Sequence, residues 1–118
     1  MEKNIEVSLL FDFYGELLKP TVRAAVDLYY NDDLSLAEIA AETGITRQGV
    51  RDSIRRGELA LFEFEKKLGL LARFNAVENG LSEISKKAHE ISNQSDDAQI
   101  KALASGIIAK AGALKEKE

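Results

Sequence analysis

The chain opens on a run in which polar positions are scarce. Ile5–Leu18 reads IEVSLLFDFYGELL, with nine apolar or aromatic residues in fourteen and the polar Ser8, Asp12 and Glu16 aligned at i, i+4, i+8. A helix with so narrow a wet stripe has to be covered over most of its circumference. Pro20, the single proline, cannot continue that helix but suits the first turn of the next. Val22, Ala25, Val26 and Tyr29 then recur at helical spacing, and Asn31-Asp32-Asp33 reads as a turn, because short polar side chains bond to nearby backbone. Ser35-Leu36-Ala37-Glu38 has the form of a capping box, which predicts a helix starting at Leu36. Gly44 ends it after about two turns, and Thr46 is placed to cap a following helix from Arg47. Two short helices across a Gly-containing turn form a helix-turn-helix unit. Ile39, Ala40, Ile45, Val50 and Ile54 have the spacing to face one another inside it, with Ala40 expected to supply the small side chain at the crossing.

The period persists beyond the turn. Val50, Ile54, Gly57, Leu61, Phe64 and Leu68 step by four and three, so either one helix runs through Gly57 or a new one begins there. Lys66, Lys67 and Gly69 have the composition of a helix C-terminus. Past this point Leu70, Phe74, Val77, Leu81, Ile84, Ala88 and Ile91 form three heptads of an a/d seam. The polar Asn93–Asp97 stretch interrupts it, with Ser95 as the expected N-cap, and Ile100, Ala104, Ile107, Ala111 and Leu114 resume the pattern. Glu63/Lys67, Glu83/Lys87 and Asp97/Lys101 are acid-first i,i+4 pairs, worth about 0.2–0.5 kcal/mol each. No segment alternates as a strand does. The expected fold is all-α: a domain over residues 1–69, with its helix-turn-helix at about 35–56, and a helical arm over 70–118. Leu70–Ile91 is about 33 Å long at 1.5 Å per residue, more than the preceding domain can cover. The seam is open to three uses: an internal hairpin, a homodimer interface, or an adhesive face for another protein. Dimerisation through the arm and the oily first helix is the favoured expectation.

Composition narrows the chemistry. The 118 residues include no cysteine, one histidine and one proline, which removes disulfides, thiolate metal sites and cysteine nucleophiles. No apolar run approaches membrane-spanning length, and the N-terminus lacks the order of a signal peptide, so a cytoplasmic protein is expected. His89 stands alone outside the seam, and no metal or phosphate-loop spacing occurs. Neither a catalytic residue, a metal, a cofactor nor a small-molecule ligand is expected. Asp32-Asp33 is read as turn chemistry.

The net charge of −4 argues against a strongly nucleic-acid-binding surface, but the average conceals a local reversal. Residues 1–69 carry 9 basic and 13 acidic residues, yet Arg47–Arg56 holds four arginines against Asp52. Arg47, Arg51 and Arg55 fall at i, i+4, i+8, on one face of the second helix and opposite Val50 and Ile54. A guanidinium fork bridges phosphate oxygens or pairs with guanine O6 and N7; the amide of Gln48 suits an adenine edge. Thr46, Arg47 and Gln48 occupy the N-terminal end that a recognition helix presents to the major groove. Thr46, Arg47, Gln48, Arg51 and Arg55 are therefore the candidate nucleic-acid contacts; arginines that merely solvate the helix are the alternative.

LLFDFYGELL, then DLYYNDDLSLAEIAAETGITRQGVRDSIRRGE, then the acid-rich run into EKKLGL, closely resemble the YlxM-like family of small bacterial helix-turn-helix proteins. The likeness covers roughly residues 5–71, and the helix-turn-helix itself resembles promoter-recognition region 4 of bacterial sigma factors. One departure is the junction Lys19-Pro20-Thr21-Val22-Arg23, where the family usually carries a Thr-x-x-Gln type start. The alanine-rich C-terminal 47 residues match no quoted pattern of the family. The resemblance implies a gene beside that of the signal recognition particle GTPase and a role in, or over, that pathway. Two functions follow as expectations. One is a DNA-binding regulatory homodimer; the other is a protein–protein adaptor of the targeting machinery, with signal recognition particle components as partners and no nucleic-acid contact.

Overall fold

A computed structural model describes residues 3–117. The described residues are all-α, with helices α1 (Ile5–Tyr14), α2 (Pro20–Tyr30), α3 (Leu36–Thr43), α4 (Arg47–Leu68), α5 (Leu70–Gln94) and α6 (Ala98–Lys117). The chain divides into two compact units, one ending at Leu71 and the other starting at Ala72.

In the first unit α4 is the spine, and α1, α2 and α3 all pack on it. The oily first segment stops being α-helical at Tyr14 and closes with one 3₁₀ turn, Gly15–Leu17. Leu18 and Lys19 are extended, as the approach to a proline favours, and Pro20 takes the first turn of α2. Val7, Leu10, Tyr14 and Leu18 go inward to meet Val26, Leu61 and Leu71. Coverage over most of the circumference of α1 is not found among the described residues. Ile5, Leu9, Phe13 and Leu17 stay exposed, because the small unit offers only one face to receive the helix.

A second cluster, Ala25, Tyr29, Ile39, Val50 and Ile54, is the core of the helix-turn-helix. The capping box at Ser35 is complete: Ser35 Oγ accepts from the Glu38 N–H, and Glu38 Oε1 accepts from the Ser35 N–H. Gly44 ends α3 at φ +76, a left-handed conformation that a side chain would resist. Thr46 caps α4 by accepting from the Gly49 N–H at 3.0 Å. Asp33 also has positive φ (56°), and its carboxylate is paired with Lys3.

Of the alternatives at Gly57, the continuous helix is the one formed. The reason for a glycine lies in packing: a Cβ there would sit 2.4 Å from Val26 Cγ2 and 3.0 Å from Val22 Cγ1. At Gly57 α2 thus comes close onto α4, while Ala40, half-buried, packs against the core of the helix-turn-helix. Gly69, at φ +65, closes α4. Beyond it, Leu70 donates its N–H to Tyr14 Oη at 3.0 Å, and Leu71 donates to Glu65 Oε1 at 3.0 Å.

The second unit is an antiparallel helical hairpin in which Lys115 Nζ reaches Ser82 Oγ at 2.8 Å. Asp97, not Ser95, caps α6, accepting the Gln99 and Ile100 N–H groups at 2.8 and 3.3 Å. Ser95 Oγ instead accepts from the Asp97 N–H and shapes the turn. Of the three i,i+4 pairs, Glu63–Lys67 is in ion-pair contact, at 3.8 Å. Among the described residues no helix is long and apolar enough to cross a membrane.

Candidate nucleic-acid interface

The site is built from the turn outward. Gly44 supplies the left-handed corner, Thr46 caps the helix, and Val50 and Ile54 are fully buried beneath it. With those positions fixed, helical geometry leaves Arg47, Arg51 and Arg55 outward, and all three are exposed. Arg47 to Arg55 spans about 12 Å along the axis at 1.5 Å per residue, comparable with the width of a major groove. Among the described residues none of the three makes a hydrogen bond or ion pair, so their guanidinium groups are available to an outside anion.

Thr46 and Gln48 are exposed as well, but each already has a local partner. Thr46 Oγ1 is an acceptor in the cap, which leaves its hydroxyl proton to donate elsewhere. Gln48 Nε2 donates to Asp52 Oδ1 at 3.0 Å, so its amide must leave Asp52 before it can grip a base edge with both atoms. That contact was missed from the sequence, although the i,i+4 spacing of Gln48 and Asp52 is its signal. The exposed positions of α3 carry Glu38 and Glu42 and no basic residue.

Other chemistry is sparse. Among the described residues no group of three or more His, Asp or Glu side chains is placed to hold a metal, and His89 is exposed on α5. A cleft of about 280 Å³ opens beside α4, floored by Leu18, Val22, Ala60 and Phe64, with Lys19 and Arg56 also in its lining. In the second unit a larger apolar groove, about 490 Å³, runs between α5 and α6.

With the geometry described, comparison with known proteins decides the family. The model described as "Putative helix-turn-helix protein, YlxM / p13 like" matches residues 1–102. The chain belongs to this family, UPF0122. A UPF0122 protein of Acetivibrio thermocellus is 47% identical over 103 residues, covering 85% of this chain and 88% of that one. A UPF0122 protein of Lacticaseibacillus casei is 51% identical over 76 residues, or 64% and 67% of the two chains. One from Clostridium kluyveri is 49% identical over 78 residues, or 66% and 70%. The UPF0122 match runs past residue 71 through α5 into the start of α6, further than the motifs of the first two-thirds of the chain had carried the resemblance.

Proposed function

We propose that this chain is a non-catalytic regulatory protein that binds DNA through the outer face of α4, with Arg47, Arg51 and Arg55 on phosphate or guanine and Thr46 and Gln48 at the leading turn. One observation carries the reading: three exposed arginines without partners among the described residues share one face of a helix that begins directly after a left-handed glycine turn. Regulation of the signal recognition particle pathway, in the cytoplasm, is the proposed setting. The family resemblance is what supports that setting.

Salt dependence of binding is the test. Each phosphate contact releases counterions, so log K falls with log salt by about 0.9 per contact. Three arginines give a slope near −3 for one copy, and two copies on one duplex a slope near −5. Fluorescence anisotropy with labelled duplexes, including fragments upstream of the protein's own operon, reads that slope. The Arg47/Arg51/Arg55→Ala triple variant should abolish it while unfolding as the parent does.

A second reading, the protein–protein adaptor, has its own observation. The helix that would cross the DNA backbone, α3, exposes Glu38 and Glu42, and an apolar cleft lined by Lys19 and Arg56 lies open beside α4. A flat titration for every duplex at about 50 mM salt, where electrostatic binding is strong, selects this reading.

A further inference from the structure

The cleft beside α4 combines an apolar floor with unpaired positive charge. Lys19 and Arg56 line it together with Leu17, Val22, Ala60 and Phe64, and no acid does. Both cations are exposed, and neither side chain makes an ion pair or hydrogen bond among the described residues. The four acids of α4 already have partners of their own: Asp52 with Gln48, Glu58 with Tyr30, Glu63 with Lys67 and Glu65 with Tyr14. At about 280 Å³ the cleft falls just under the range of small-molecule pockets, about 300–1,000 Å³. It is sized for side chains presented by a polypeptide.

The complementary surface lies on the same unit. The outer side of α1 and its closing turn carries Ile5, Leu9, Phe13 and Leu17 interspersed with Glu6, Asp12 and Glu16, all exposed. Residues 4–18 contain no lysine or arginine. None of the three acids makes an ion pair among the described residues. An amphipathic helix face of this kind is what an apolar groove takes up, and its acids answer the two cations of the cleft. Val7, Leu10 and Tyr14 commit the inner side of α1 to its own core, which turns the acidic, apolar side outward. Leu17, 60% exposed, belongs to both surfaces, since it ends the apolar row of α1 and lines the cleft. The acidic half and the basic half therefore adjoin as one patch that complements itself, which is the requirement of a two-fold interface.

We infer that the outer side of α1 docks in the cleft of a second copy, and α1 of that copy in the cleft of the first, about a two-fold axis near Leu17. Asp12 and Glu16 of each copy then meet Lys19 and Arg56 of the other. The inference does not depend on DNA binding, and its test involves no DNA. It assigns to a second copy the cleft that the adaptor reading leaves to a different protein, and the experiment separates the two.

Sedimentation of the full chain at about 100 μM, well above a micromolar Kd, should give twice the 13.0 kDa chain mass. Two charge reversals, Lys19→Glu with Arg56→Glu and Asp12→Lys with Glu16→Lys, each set like charges against one another across the axis. Each should raise the dissociation constant about 100-fold. Mixed in equal amounts, the two variants should pair again. The acidic α1 of one then meets the basic cleft of the other, and the basic α1 meets the acidic cleft. All four side chains are exposed, so the circular dichroism of each variant should match the parent. The parent dimer should itself dissociate more readily between about 50 and 500 mM salt as the charges are screened. That arm needs no variant and holds even where a reversal fails to fold. A monomeric parent overturns the inference and leaves the cleft to a different protein. A dimer insensitive to salt, or one that persists in either reversed variant, overturns it as well. So do folded variants that stay apart when mixed, since the copies would then meet elsewhere.

Discussion

Tyr14 Oη donates to Glu65 Oε1 at 2.7 Å, and together the two side chains cap the first turn of α5. Tyr14 accepts the Leu70 N–H and Glu65 the Leu71 N–H, so two of the orphan donors of that helix are satisfied from α1 and α4. Tyr14 is itself buried, its ring 5.9 Å from that of Phe64. Tyr14→Phe keeps the ring and removes the oxygen. It should lower the urea midpoint of the first unit with an unchanged denaturant slope. Hydrogen exchange at the amides of Leu70 and Leu71 should quicken most. Unchanged protection there would mean the cap is not formed in solution.

The same phenol should give alkaline sensitivity. Burial and the Glu65 carboxylate raise the Tyr14 phenol above its ordinary value, and burial with Glu58 does so for Tyr30. The folded chain thus holds both protons more tightly than the unfolded one. Their contribution is complete below the ordinary value of about 10 and is lost as pH rises through the raised folded values. Phenolate absorbance should show the two groups ionising late, and denaturant stability should decline over the same range. A single transition at the ordinary tyrosine value would contradict the burial described.

Gly57 gives the sharpest stability prediction. Alanine would favour helix by about 1 kcal/mol, but its Cβ would lie 2.4 Å from Val26 Cγ2, and Val26 is fully buried. Overpacking of this kind costs about 1–3 kcal/mol, so Gly57→Ala should destabilise. Adding Val26→Ala should recover part of the loss, a coupling that a double-mutant cycle would measure. Additive losses would place the close approach elsewhere.

That glycine marks where the sequence stopped being legible. Helix starts at Leu36 and Arg47 could be read because Ser35, Glu38, Gly44 and Thr46 act on their own neighbours. The exposed face of Arg47, Arg51 and Arg55 could be read because Val50 and Ile54 fix its opposite. Gly57 was ambiguous because its reason lies on α2, at Val22 and Val26, far away in sequence. Tyr14 and Glu65 are separated by 51 residues, so their joint cap has no local trace. The seam was visible as a period, but its division into buried alanines and exposed large residues depends on how closely α5 and α6 approach. Asp97 displaced Ser95 as the cap of α6 because it directly precedes Ala98, where its carboxylate reaches the Gln99 and Ile100 N–H groups, whereas Ser95 stands three residues before the helix.

Acid should loosen the start of α3. The Ser35 N–H and hydroxyl hold the Glu38 carboxyl below its ordinary value, and the Lys3 pair lowers Asp33. Depressed folded values mean stability that is present above about 4, the ordinary carboxylate range, and lost as pH falls through the folded values. Ser35→Ala should cost about 0.5–2 kcal/mol at neutral pH. The deficit of Glu38→Ala relative to the parent should be largest at neutral pH and shrink below about pH 4. A deficit that stays constant down to pH 2 would show that the ionised carboxylate adds nothing to the cap.

Asp52 offers a gain-of-binding test of the α4 face. It is the one acid among the arginines of residues 47–56, it is exposed, and it holds Gln48 Nε2 at 3.0 Å. Asp52→Ala removes a negative charge next to Arg51 and frees the Gln48 amide. If this face meets DNA, affinity should rise about two- to five-fold at low salt, the size expected of one exposed charge. The rise should fade as salt screens it. A Gln48 contact to adenine would add a second signature, a gain larger on the preferred duplex than on a scrambled one and removed by Gln48→Ala in the same background. Fold and stability should be nearly unchanged, since the Asp52 side chain is exposed and its hydrogen bond is to the equally exposed Gln48. If affinity is unaltered at every salt concentration while Arg51→Ala still weakens binding, Asp52 lies off the docking face and release of the Gln48 amide adds nothing to the contact.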